Sequence, residues 1–209
     1  GGFRVSMDPW YSRGMGAAWY ARGGVLVVAN IRGGGEFGPR WHQAAVKADK
    51  QRSYDDFIAV AEDLIARRVT SPAHLGIEGG SNGGLLVGAV MLQRPELFNA
   101  VVCQVPLLDM KRFHKLLAGA SWVAEYGNPE EPADWAVISR YSPYQNIRRD
   151  GRYPTALFTT STRDDRVHPG HARKMVARLR EYGHPVLYYE NIEGGHGGAA
   201  DNEQRATLQ

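Results

Sequence analysis

Gly79-Gly80-Ser81-Asn82-Gly83 is the stretch on which the fold turns. It closes a short β-prone run at residues 74–79 and opens residues 83–93, which are apolar nearly all round through Leu85, Leu86, Val87, Ala89, Val90, Met91 and Leu92. A helix that is apolar on every side is a buried one, and Pro95 ends it. Strand, G-x-S-x-G and buried helix, in that order, describe a sharp turn that lifts a serine hydroxyl above a sheet. Glycines in the motif relieve the collisions a Cβ would make there. The competing reading, a glycine-rich phosphate cradle, lacks the lysine that a P-loop needs after its glycines.

Outward from this turn, further β-prone runs stand at residues 24–30, 100–105, 155–160 and 186–190, alternating with helix-period stretches. That order predicts an α/β fold: a mostly parallel sheet with helices on both faces. Phe57, Val60, Ala61, Leu64 and Ile65 share one face of a helix that Ser53 would cap, with Asp55 and Asp56 in a first turn that favours negative charge. Ala172, Met175, Val176 and Leu179 mark another amphipathic helix, ended near Gly183. Residues 128–150, rich in proline and charge, read as an excursion over one edge of the sheet rather than a domain boundary.

The 209 residues, 43% hydrophobic and 22% charged, fit one globular domain spanning residues 1–209. Twenty-five glycines and 11 prolines without a three-residue period mark turns, which excludes collagen-like and low-complexity classes. The single cysteine, Cys103, lies in an apolar run and is expected in the core. It cannot form an internal disulfide, so a reducing compartment, the cytoplasm, is expected. The longest apolar runs, residues 25–29 and 84–92, fall short of the ~20 residues of a membrane helix, and no basic-then-apolar leader opens the chain, so the expectation is a soluble protein. The net charge of +3 comes from Arg and Lys scattered among acidic residues, which reads as a mixed solvated surface. Neither nucleic acid nor membrane is an expected partner.

A serine hydroxyl is a poor nucleophile unless a base takes its proton, and the base needs an acid to fix its tautomer. In α/β-hydrolases the chain order is nucleophile, acid, histidine. After residues 155–160 come Asp164 and Asp165, and after residues 186–190 comes His196, flanked by Gly194, Gly195, Gly197 and Gly198. His196 therefore has no packing reason for its place. His42 and His114 fall in helix-like stretches, His74 begins a strand run, and His184 precedes a proline in a turn. His168 and His171 beside two aspartates raise a metal site, but further ligands are lacking, so no metal and no cofactor are expected. Either Asp164 or Asp165 can reach a histidine from that loop, and the residues alone do not choose.

These motifs resemble the catalytic α/β-hydrolase domain of the prolyl oligopeptidase family of serine peptidases. Four stretches carry the resemblance: Asn30-Ile31-Arg32-Gly33-Gly34-Gly35-Glu36-Phe37-Gly38, Gly79-Gly80-Ser81-Asn82-Gly83-Gly84, Asp164-Asp165-Arg166-Val167 and Gly194-Gly195-His196-Gly197. The resemblance implies Ser81 as nucleophile, Asp164 as the acid, His196 as the base and the Asn82 backbone N–H as an oxyanion donor. It implies that Arg166 grips a substrate carbonyl and that Phe3, Leu107, Trp122, Tyr126 and Val167 line a pocket for proline. It also implies parts beyond this chain: a tyrosine oxyanion donor just before Gly1, a β-propeller, and further elements of the hydrolase at both ends.

The expected function is thus serine peptidase action on short peptides after proline, through an acyl-enzyme. Two alternatives stand beside it, an esterase of broad acyl specificity and an inactive binding module. Incomplete sheet edges make self-association a further expectation.

Overall fold

The computed structural model describes residues 1–199 apart from Pro9 and Ser12. Its centre is a parallel sheet of β1 (Gly76–Gly80), β2 (Ala100–Gln104), β3 (Thr155–Ser161) and β4 (Val186–Asn191), side by side in chain order. Successive parallel strands need crossovers, and helices supply them. The helices are α1 (Arg13–Ala18), α2 (Pro39–Gln43), α3 (Gln51–Ala66), α4 (Asn82–Gln93), α5 (Val123–Tyr126), α6 (Pro132–Tyr141), α7 (Pro143–Asn146) and α8 (Gly170–Glu181). The 128–150 stretch accordingly folds as α6 and α7 between β2 and β3.

Register decides which residues share a face. Ile77, Val101 and Ala156 are aligned across the sheet, and Cys103 pairs with Phe158 one repeat further on; all five are buried. Over this face lies α4, whose Gly84 carbonyl accepts a hydrogen bond from Cys103 Sγ at 3.3 Å. Burial raises the Cys103 thiol pKa, so it stays a neutral core group. The opposite face carries Glu78, Gln104, Leu187 and Tyr189, with Leu187 58% exposed. Among the described residues, then, the expected cover of helices is present on one face.

Residues 24–30 form no strand. β-prone side chains make a strand only when a neighbour supplies a ladder, and no described strand pairs with this segment, which leaves Val25 and Val27 exposed. His74 stands in a 3-10 turn, Pro72–His74, before β1 rather than at its start. Helix α3 begins two residues ahead of Ser53 and turns Tyr54, Ile58 and Ala61 inward, a face rotated from the predicted one. Ser53 does not cap it. Its hydroxyl donates to Arg32 O at 2.6 Å, while Asp56 accepts from the Arg32 N–H and guanidinium at 2.5–2.9 Å. The Asn30–Gly35 motif is thereby fastened to α3.

On α8, His171 is 1% exposed, and its Nδ1 accepts the Leu108 and Asp109 backbone N–H groups at 3.2 and 3.0 Å. A nitrogen accepting two N–H bonds carries no hydrogen, so protonating it breaks both. Burial is the main cause that lowers the His171 pKa to about 4, with Asp109 opposing. The unfolded chain takes up this proton below about pH 6.5, whereas the folded protein resists until about pH 4. Stability therefore falls as the pH falls through that window, by about 3 kcal/mol from this one group. Urea unfolding from pH 7 to pH 4 should show this slope, and His171→Asn, which keeps an acceptor at the Nδ1 position without the titration, should lose it. An identical slope in both proteins would refute the assignment.

Candidate active site

Between β1 and α4 the Ser81 backbone takes φ 57° and ψ −115°, a conformation costly for a residue with a Cβ. Two hydrogen bonds hold it there: the Ser81 N–H donates to Gln104 O at 2.9 Å, and Ser81 O accepts from Leu85 N–H at 3.2 Å. The first ties the turn to β2, the second to the first turn of α4. Gly79 is required by this path, because a Cβ on it would stand 2.2 Å from Gly83 O. A Cβ on Gly83 would meet nothing within 4 Å, so steric crowding explains one glycine of the motif and not the other. As the first residue of α4, Asn82 has a backbone N–H with no helical partner, at the positive end of the helix dipole.

His196 and Asp164 meet above the neighbouring strands. His196 Nδ1 lies 2.8 Å from Asp164 Oδ2, across loops that follow β4 and β3. The other carboxylate oxygen, Oδ1, accepts the Arg166 and Val167 backbone N–H groups, each at 2.9 Å. Burial alone would raise the Asp164 pKa; the His196 bond and the two N–H bonds outweigh it and hold the carboxyl below the usual range. An ionised Asp164 receiving the Nδ1 hydrogen leaves Nε2 of His196 free to act as a base. Asp165 is exposed and makes no comparable contact among the described residues. The loop bearing His196 is fixed by Gly198 O, which accepts from Asn191 Nδ2 at 2.8 Å and from Ser161 Oγ at 3.4 Å. Among the described residues the Ser81 hydroxyl makes no hydrogen bond to His196, a bond that often tightens only with substrate present.

Thus Ser81, Asp164 and His196 all lie just beyond the C-terminal ends of parallel strands, where open α/β sheets place their sites. Beside them, the rings of Phe3 and Tyr126 pack edge to face at 5.6 Å, and Tyr126 in turn meets Phe113 at 5.4 Å. Leu107, Tyr126 and Val167 are buried, Trp122 is half-buried and Phe3 is exposed. Arg166 is exposed on the acid loop, and its carbonyl accepts from Ala118 N–H at 3.3 Å, joining that loop to the 3-10 segment Leu117–Trp122. The two histidines considered for a metal are separately engaged: His168 Nδ1 accepts from Gly170 N–H at 2.9 Å, and His171 serves the Leu108–Asp109 backbone.

Sequence reasoning missed a polar cluster beside the pocket. Glu125 accepts from Lys50 Nζ at 3.0 Å and from Phe3 N–H at 3.1 Å on one oxygen, and its other oxygen lies 2.8 Å from His42 Nε2. The Lys50 side chain is 1% exposed. No local pattern announces this cluster, because its members come together only through the fold.

Comparison with known proteins identifies the family and the fold. A model of the prolyl oligopeptidase family matches residues 10–209. The chain is 58% identical over 206 residues to an uncharacterized peptidase of Sinorhizobium fredii, covering 99% of this chain and 28% of that protein. It is 40% identical over 208 residues to a prolyl endopeptidase of Elizabethkingia miricola, covering 98% and 29%. The solved post-proline cleaving enzyme from Rickettsia typhi superposes with a TM-score of 0.97 at 48% identity, over 99% of this chain and 30% of that one. The chain spans under a third of the length of these relatives. It belongs to the prolyl oligopeptidase family, and the part it spans is that family's α/β-hydrolase catalytic region.

Proposed function

We propose that the protein is a serine peptidase that hydrolyses peptides after proline, with Ser81, His196 and Asp164 as its triad. The observation that carries this reading is the 2.8 Å His196–Asp164 contact above the strand ends that also present the strained Ser81 turn. His196 Nε2 takes the Ser81 proton as Oγ attacks the substrate carbonyl. Asp164 stabilises the imidazolium that forms and keeps Nδ1 hydrogenated. The oxyanion receives the Asn82 N–H at the start of α4, where the helix dipole adds to the donor. His196 then protonates the leaving amine, and water repeats the sequence on the acyl-enzyme.

Substrate choice rests on the aromatic wall. Phe3 and Tyr126 present an edge-to-face pair, and Trp122 offers a half-buried indole from the adjoining segment. A pyrrolidine ring is compact and apolar, which suits a shallow aromatic-lined recess better than a long or charged side chain does. Arg166, exposed on the acid loop, has the reach and charge to hold a substrate carbonyl next to the scissile bond.

Intact mass after treatment with a fluorophosphonate should show a single adduct, absent in Ser81→Ala. Asp164→Asn should fold normally and lose on the order of 10⁴-fold in kcat, because the wrong imidazole tautomer then faces Ser81. Loss of less than about tenfold would remove Asp164 from the triad. With peptide amides differing only in the residue before the scissile bond, proline should exceed alanine by at least about tenfold in kcat/KM. Equal turnover of the two, or turnover of p-nitrophenyl esters with none of the amides, would overturn the peptidase reading in favour of an unselective esterase.

A further inference from the structure

We propose that the buried Lys50–Glu125–His42 cluster is a positioning device that sets the proline pocket and the oxyanion donor together, with the Tyr126 hydroxyl as the link. The proposal rests on the function proposed above for Asn82 and the pocket. Glu125 is 4% exposed, and its carboxylate is filled from three directions: Lys50 Nζ and Phe3 N–H on Oε1, His42 on Oε2. Arg4 Nε donates to His42 Nδ1 at 3.3 Å, so Nε2 is the nitrogen that carries the hydrogen to Glu125. Burial disfavours the Glu125 charge, but Lys50, His42 and the Phe3 N–H together hold its carboxyl below the usual range. Burial also draws the Lys50 ammonium downward, partly offset by Glu125. Three donors converge on one carboxylate, which favours the ionised form of Glu125.

Two contacts of the cluster lead to the proposed wall of the pocket. The Lys50 ammonium stands 5.4 Å from the centroid of the Tyr126 ring, close enough to attract its face. The Glu125–Phe3 bond fixes a residue whose own backbone, at φ 55°, is strained, and the Phe3 ring abuts Tyr126. Tyr126 then carries the arrangement to the reacting centre, because its hydroxyl donates to Asn82 Oδ1 at 2.6 Å. Asn82 Nδ2 donates onward to Gly1 O at 3.2 Å, so the residue after the nucleophile is held by its side chain on two sides. The proposed proline wall and the proposed oxyanion donor are thus joined in one hydrogen-bonded assembly. Buried ion pairs are commonly replaceable by apolar side chains without loss of stability, and such an assembly gives this one a use that stability does not.

The test uses the full-length protein and three variants: Tyr126→Phe, Lys50→Met, and Lys50→Met combined with Glu125→Gln, which leaves no unpaired buried charge. Unfolding temperature, kcat and KM on proline and alanine amides, and the rate of fluorophosphonate labelling are read for each. Tyr126→Phe should keep KM and the proline preference and lose on the order of tenfold in kcat and in labelling rate, as expected for a donor no longer held in place. The double variant should unfold near the parent temperature, yet lose most of its proline preference and about tenfold or more in kcat. A double variant that matches the parent in kcat and in the proline to alanine ratio within about twofold overturns the proposal. If neither lysine variant folds, Tyr126→Phe decides: unchanged kcat and labelling overturn it, lowered kcat at constant KM supports it. A parent protein that neither labels nor favours proline would instead overturn the underlying function.

Discussion

Ser81 can project its hydroxyl from the sheet only while its backbone stays near φ 57°, a state that costs on the order of 1–3 kcal/mol for a residue with a side chain. Neither the strand before it nor the helix after it would choose that geometry. It persists because β2 lies alongside and presents Gln104 O to the Ser81 N–H, and because α4 is too deeply packed to shift. Eight of the twelve residues of α4 are buried, so the helix acts as the fixed side of the turn. The geometry of the Ser81 turn thus depends on parallel pairing first and on side-chain chemistry second.

Polar groups inside the protein follow the same logic of bracing. His171 ties the segment after β2 to α8, and Asp109, buried in that segment, is gripped by Lys174 and Gln145. Burial would raise the Asp109 pKa, but these donors outweigh it and keep the carboxyl ionised. Asp56 and Ser53 brace the Asn30–Gly35 stretch against α3, and Gly35 N–H reaches Val5 O at 3.1 Å, beside the Phe3 that meets Tyr126. The His171, Asp56 and Ser53 bridges each join a helix, α8 or α3, to a loop near the site. Loops that carry function are held by buried polar contacts here, because they lack the ladders that hold strands.

How much of this could be read in the sequence depended on distance along the chain. The turn at Ser81, the buried α4 and the amphipathic α8 are local patterns, and residues within one turn of each other fix them. The succession of serine, aspartate and histidine after three strand-like runs was legible for the same reason. Residues 24–30 misled because a strand is a relation between two segments, and their hydrophobic pattern says nothing about a partner. Ser53 misled because its residue type suits a helix cap, whereas α3 starts earlier and puts the hydroxyl against Arg32 O. Glu125 lies 75 residues from Lys50 and 83 from His42, so only the folded chain reveals that a lysine and a glutamate are buried together.

The proposed pocket and the proposed triad share their supports, which limits how far either can change alone. Leu107 N–H approaches Ser81 O at 3.5 Å, Val167 N–H holds Asp164 Oδ1, and the Tyr126 hydroxyl holds Asn82. Three residues of the proposed proline wall are therefore also backbone or side-chain props of Ser81, Asp164 and Asn82. All three belong to the buried core as well. A substitution that keeps the backbone and changes only the half-buried indole of Trp122 can alter the proposed selectivity with little effect on the chemistry. One that moves Leu107, Tyr126 or Val167 alters packing, selectivity and rate together, since a displacement of about 1 Å at a reacting group already costs on the order of 100-fold. The proposed selectivity is therefore adjustable at the rim and fixed at the floor.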